Sequence, residues 1–280
     1  KSLDETQYDN DGEVYYFAGN PIDNWVQFGG FYWRIIRING DGSIRVIYSG
    51  DSSSGPIETG EDTQIGTSTF NAQSNDNVYV GYMYGKAGSD TYEETHANIN
   101  DSTIKTVLDS WYQSNLLSYS DYISRDAGFC GDRTPYIGSG MGTAATDYTT
   151  YDRLYTNKVP TFDCQYAEHD LYTTVSGSSQ GNHVLIYPVG LITADEVSYA
   201  GGVYNVNNAN YFMYTAQDYW TISSRGFNDS YARTFRVNSN GHIGSDRVYN
   251  MYGVRPVINL RSDVKLTGSG TSTDPYTIVE

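Results

Sequence analysis

The groups in this chain that could do chemistry are four histidines, two cysteines and 33 acidic side chains. His96, His169, His183 and His242 each stand alone, with no second histidine at a neighbouring helical or strand spacing, so the sequence signals no zinc site. Carboxylates are abundant, and Glu93 with Glu94, Asp195 with Glu196, and Glu168 with Asp170 are pairs by abundance alone. A glycosidase needs two carboxyls at a defined separation, and no motif marks any pair for that work. DNDG at Asp9–Gly12 and NGDG at Asn39–Gly42 are acidic turns, and no DxDxDG string offers calcium its six to eight oxygens. GSGMG at Gly138–Gly142 has no lysine behind it and reads as a loop, not a phosphate cradle. Catalysis, metal binding and cofactor binding therefore lack a constellation, and no cofactor is expected.

Recognition is the chemistry that remains. Val203–Tyr252 holds 7 tyrosines and 8 asparagines, with Ser, Arg and one His. Tyrosine brings large, rigid, amphipathic contact area at low rotamer cost, and Ser, Asn and Gly add adaptable hydrogen bonding. Tyrosine is common throughout the chain, 28 residues in all, so the asparagine density is the stronger signal. Strand alternation turns Phe235 and Val237 inward and Arg236 and Asn238 outward. Arg225, Phe227, Asn228, Tyr231, His242, Asp246, Arg247, Tyr249 and Asn250 are expected in loops or on rims. These eleven polar and aromatic residues form the expected ligand surface, with Trp220 packed beneath it as core.

The elements that must position this surface are mostly strands. Val14–Phe17, Trp25–Phe28, Phe31–Ile38 and Ile44–Tyr48 open the chain, with a hairpin turn at Asn39-Gly40-Asp41-Gly42. Val78–Tyr84 is a further candidate. Asn210–Tyr214, Gln217–Ser223, Tyr231–Asn238, Gly241–Gly244, Tyr252–Leu260 and Tyr276–Val279 follow, with a turn at Asn238–Gly241. Ile104, Val107, Leu108 and Trp111 repeat at helical spacing behind a cap at Asp101 or Ser102, which predicts a helix over Ser102–Leu116. Thr193 and Glu196 stand at capping-box spacing, and Gly201-Gly202 should end that short helix. Residues 118–181 show no period and read as an irregular insertion in a single domain spanning residues 1–280. Cys130 and Cys164 fall inside it. In a chain rich in Tyr, Asn, Ser, Thr and Gly they read as one disulfide of a secreted protein, worth ~4 kcal/mol for such a loop in the chain-entropy model. Two separate buried thiols are the alternative.

The segment GVRPVINL, Gly253–Leu260, places Arg255 and Pro256 inside an apolar strand pattern. Proline cannot donate a ladder hydrogen bond, and a buried guanidinium needs partners. Both are read as structural, the arginine reaching carbonyls or an acid, the proline marking a bulge or non-bonding position.

The totals set limits. A net charge of −16 over 280 residues speaks against a nucleic-acid partner. No run approaches the ~18 apolar residues of a membrane span. The start at Lys1, without a leader, is read as that of a mature or trimmed ectodomain, with any anchor outside it.

YWTIS at Tyr219–Ser223, the strand pair after it and GVRP at Gly253–Pro256 resemble the C-terminal half of the C-type lectin fold. The likeness is to bacterial surface proteins, the formylglycine-generating-enzyme superfamily and diversified variable proteins. FGGFYWRIIRINGDGSIRVIYSG, NDSTIKTVLDSWY and YPVGLITADEVSYAGG resemble secreted or surface-anchored domains of Gram-positive bacteria. The resemblance implies an α+β domain of C-type-lectin type, with two helices around a small twisted antiparallel sheet and a loop-rich insertion. It implies an extracellular or cell-surface module that binds a protein or glycan. The alternatives are a remote formylglycine-generating or carbohydrate-hydrolysing enzyme, or a pilus or stalk module. The catalytic cysteine pair of the first enzyme class is missing, since Trp220–Leu260 contains no cysteine.

Overall fold

The structure, a computed structural model, describes residues 6–228 and 230–279. Two twisted sheets carry the chain. The first runs in the order Gln7–Asp9, Gly12–Tyr16, Phe31–Ile38, Ile44–Asp51 and Val257–Leu260, with Trp25–Phe28 also paired to Phe31–Ile38. The second runs Pro135–Ile137, Thr146–Tyr148, Tyr219–Asn228, Tyr231–Val237 and Ile243–Arg247, and Met251–Gly253 joins it between Tyr219 and Thr67–Thr69.

Local chemistry explains the hairpins. Phe28 pairs with Phe31 across Gly29-Gly30, both at positive φ (62° and 85°), the twist that two-residue hairpin loops require. The Asn39–Gly42 turn closes the Ile38–Ile44 pairing, with Gly42 at φ 82°. Both expected helices form. Ser102 caps Thr103–Asn115 by accepting from Lys105 N, and Ile104, Leu108 and Tyr112 bury one face. Ala194–Ala200 opens on the Thr193/Glu196 capping box and ends at Gly201, φ 132°.

The fold class nevertheless differs from the α+β expectation. The chain is β-rich, with a six-stranded and a seven-stranded sheet where one small sheet was expected. Beyond those two helices, the described α-helical segments, Tyr92–Thr95, Thr149–Tyr151 and Ala167–Asp170, are single turns. The physical reason is non-local. Apolar runs such as Phe31–Ile38 declare a strand, but which strands share a sheet is set by pairing across long loops, on which short-range pattern is silent.

Several elements shift accordingly. Val78–Tyr84 is no continuous strand: Asp76 caps a 3₁₀ turn at Asn77–Val80, and Met83–Tyr84 alone extends. Asn210–Tyr214 is a turn that buries Tyr211, Phe212 and Met213. Residues 118–181 are short pieces, yet Pro135–Ile137 and Thr146–Tyr148 from this segment extend the second sheet. The Cys130–Cys164 disulfide ties the segment together, and Asn10 holds Cys164 by two side-chain hydrogen bonds, one to its N and one to its O.

The Tyr252–Leu260 run is two strands, not one. Gly253 lies beside Tyr219 in the second sheet, and Val257–Leu260 pairs with Ile44–Ile47 in the first. Arg255 and Pro256 occupy the crossing. Arg255 is fully buried; its Nη2 and Nε donate to Tyr48 O at 2.8 and 3.1 Å, and Nε also reaches Thr63 O at 3.1 Å. Its guanidinium lies 4.9 Å from the centre of the Tyr219 ring. Pro256, which has no N–H to lose, still offers its carbonyl to Tyr48 N at 2.9 Å. The pair thus fills a point where the chain changes sheets and where a regular ladder cannot run.

Candidate functional site

Trp220 is fully buried beneath the second sheet, donating from Nε1 to Ser68 O at 2.9 Å and packing edge-on against Phe70 and Tyr252. Above it the expected ligand residues divide into groups. Tyr231, Arg247 and Tyr249 form one. The Arg247 guanidinium lies 4.3 Å from the centre of the Tyr231 ring, its Nη1 donates to the Tyr249 hydroxyl at 2.8 Å, and the two rings meet edge-on at 5.6 Å. Arg247 is exposed and both tyrosines are half-buried. Asn228, exposed, lies beside them, paired in register with Tyr231.

Arg225 belongs to the same side of the sheet but reaches the other way. It forms an ion pair with Asp147, and its guanidinium sits 3.9 Å from the centre of the Tyr151 ring. Tyr151 stacks on Tyr155 at 5.1 Å, and both meet Tyr204 edge-on. Tyr155 is 52% exposed, which leaves this aromatic shelf open to a ligand.

Arg236 and Asp246 form a third group on the opposite face. Arg236 is ion-paired with Asp218 and lies 3.6 Å from Asp246, with the Tyr252 ring 4.5 Å away. Tyr252 OH and Asn250 Nδ2 both donate to Asp246, at 2.6 and 3.0 Å. His242 contacts Asn207 Oδ1 at 3.1 Å, and burial and then Arg236 hold its ring below the usual imidazole range. Asn238 is half-buried, its N–H donating to His242 O.

Phe227 is a correction. It is 2% exposed and packed in the core, inside a strand and not on a rim. The register shifts between Ser224 and Gly226, and that bulge reverses the alternation so that Phe227 turns inward with Trp220. Arg225 and Asn228 likewise lie in the strand, not in a loop.

A second cluster went unread in the sequence. Arg37 bridges Asp9 at 2.7 Å and Glu196 at 3.0 Å, and Arg45 Nε meets the same Glu196 oxygen at 2.6 Å. Glu196 is also the capping-box acid; burial raises its pKa, but Arg45 and Arg37 outweigh that and hold the carboxyl below its usual range. Beside it Arg153 bridges Asp132 at 2.6 Å and Asp195 at 3.0 Å. Asp11 at the edge is pushed up to about 6, by burial first and then by Asp9 and Asp41. These groups and the disulfide line a cleft with about 40 Å³ of space for water. That admits a few water molecules, at roughly 10–15 Å³ each, and not a sugar ring. Its arginines and acids satisfy one another, which is the arrangement of a structural network. Sequence offered one clue, the doubled role open to Glu196, but the partners lie up to 187 residues apart (196 − 9).

The remaining carboxylates and histidines are dispersed. Glu94 accepts from Ser89 on the surface, and Asp170 is buried against Arg133. His96 is buried against Gly140 O. Among the described residues no group of three His, Cys, Asp or Glu could hold a metal ion, and no helix is long and apolar enough to cross a membrane. Comparison with family models, with curated proteins and with solved structures finds no match to this chain.

Proposed function

We propose that this chain is an extracellular or cell-surface binding module, which holds a protein or glycan ligand through the side of the second sheet built by Tyr219–Tyr252 and catalyses nothing. The observation that carries the reading is the Tyr231–Arg247–Tyr249 cluster: an exposed arginine over the Tyr231 ring and bonded to the Tyr249 hydroxyl, on a sheet whose other side is locked into the core by Trp220. Tyrosine and arginine dominate binding energetics because they combine apolar area with directed hydrogen bonds and lose little rotamer freedom when already braced. The disulfide supports an oxidising compartment. The sequence likeness to bacterial ligand-binding surface proteins points to the same end of the chain.

Arrays of glycans and of surface proteins supply the ligand, and Tyr231→Ala, Tyr249→Ala and Asn228→Ala supply the test. Each tyrosine change should weaken binding by about tenfold or more, with Asn228→Ala weaker in effect, and a melting temperature within a few degrees of the parent. Unchanged affinity in all three, for a ligand the parent holds, removes this surface from the function.

A further inference from the structure

In a chain with 33 acids against 17 lysines and arginines, a half-exposed arginine has acids to choose from. Arg225 takes Asp147, Arg236 takes Asp218 and Asp246, and Arg261 takes Asp263. Arg233 takes none among the described residues, and its Nε is buried without a hydrogen-bond partner. Directly opposite it, on the edge strand, stands a second cation, Arg247.

The pairing is of the close kind. Ile243 turns its backbone outward, donating to Val203 O and accepting from Asn205 N, and Val248 N donates inward to Ala232 O. The intervening odd positions therefore also face outward, and Arg233–Arg247 is a non-hydrogen-bonded pair, the kind whose Cα atoms lie about 4.5 Å apart. Like charges directly opposed across two strands destabilise a sheet. One row further along, Gly226 pairs with Arg233 and with Asp147, so Arg225 in the adjoining strand borders the same patch. The folded chain thus sets two arginines that form no ion pair among the described residues at opposed register positions, on a protein whose net charge is −16.

Resting on the binding-module reading above, we propose that the Arg233–Arg247 pair is the anion-binding centre of that surface and that its ligand is an acidic, carboxylate-bearing glycan. Each guanidinium can meet a carboxylate with paired N–H donors, and the register puts two such side chains on one face of neighbouring strands. The flanking rings of Tyr231, Tyr249 and the Tyr151–Tyr155–Tyr204 shelf offer flat apolar area for sugar faces. An acidic peptide fits less well. A peptide would add to the edge strand through its backbone, but that edge is blunted: Ile243 is taken by Val203 and Asn205, Arg247 N by Asp246 Oδ1, and Arg247 O by Asn250 N. Only Ser245 between them is left to pair.

Calorimetric titration of the whole chain with polygalacturonate tests this, with dextran as the neutral polymer and poly-L-glutamate as the acidic peptide. Polygalacturonate should bind, more weakly as salt rises, and dextran should not. Arg247→Gln and Arg233→Gln should each weaken binding by about tenfold or more, while the melting temperature of the free protein stays level or rises as the repulsion is relieved. If Arg233→Gln fails to fold, the exposed Arg247→Gln carries the test alone. No polygalacturonate binding, binding unchanged in Arg247→Gln, or a preference for poly-L-glutamate overturns the proposal. A neutral glycan or a protein captured through Tyr231 and Tyr249 would overturn it while leaving the binding-module reading intact.

Discussion

Arg133 and Arg233 are the same side chain under opposite rules. Arg133 is fully buried and engages every guanidinium nitrogen: its Nε and Nη2 meet Asp170, its Nη1 donates to Met83 O, and Nη2 also reaches Asn98 Oδ1 and His169 O. Asp170 is as deeply buried and accepts in addition from the Arg133 backbone N–H. Arg233 lies half-buried at the open face, with no ion pair among the described residues and a second arginine opposite. A charge taken out of water must be compensated within the protein, so the buried arginine is a structural fixture. A charge at the surface can wait for a partner that arrives from outside. The protein uses its few cations in both ways, and satisfaction, not residue type, separates scaffold from candidate site.

The comparison breaks most visibly at Asp170. Asp170→Ala would leave the Arg133 guanidinium buried and uncompensated, a loss of about 3–5 kcal/mol that urea unfolding would read directly. Equal tolerance of Asp170→Ala and Arg247→Gln would mean that the buried and surface arginines are not different in kind.

Much of the scaffold side of this contrast was legible before any fold was known. The Ile104–Trp111 period, the Thr193/Glu196 box and the Asn39–Gly42 turn are local, written within a few residues, and each forms. The division into two sheets is not local, because Val257–Leu260 must cross the domain to reach Ile44–Ile47. The same holds for the charged cleft, assembled from the amino terminus, the 118–181 segment and the Ala194–Ala200 helix. At the candidate site, alternation placed Phe235 and Arg236 on opposite faces, but Phe227, expected in a loop or on a rim, lies inside a strand and turns to the core past a register shift that short-range pattern does not announce. The opposed Arg233–Arg247 pair needed the strand register, and Arg233 was not singled out in the sequence at all.

His96 sharpens the buried half of the comparison. It sits near Arg133 with one ring nitrogen, Nε2, 2.9 Å from Gly140 O and the other, Nδ1, without a partner. Burial first, and then the Arg133 charge, hold its pKa well below the model-peptide value of 6.5. The unfolded chain therefore takes up a proton near pH 6.5 that the folded chain refuses. Stability from this group is complete above that pH and falls as the pH drops below it, by up to about 1.4 kcal/mol per pH unit. His96→Gln, whose amide can still donate to Gly140 O, should flatten that part of the profile. An unchanged slope between pH 6.5 and 5 would show that this interior tolerates another positive charge.

The smallest effect separates the two faces of the second sheet. Arg236 shares its strand with Arg233 but has opposite parity, and it is already engaged by Asp218 and Asp246. All three are partly exposed, with side-chain accessibilities of 14%, 32% and 24%, so water and salt screen the pairs. Arg236→Gln should therefore lower stability by about 0–1 kcal/mol. Because the side chain points away from Arg233 and Arg247, polygalacturonate affinity should be retained in this variant. Loss of binding on Arg236→Gln, with the melting temperature held, would mean that the ligand wraps the edge strand and touches both faces. The anionic site would then extend over a neutralised arginine as well as the unneutralised pair, and the rule that only an unsatisfied charge is free to bind would fail here.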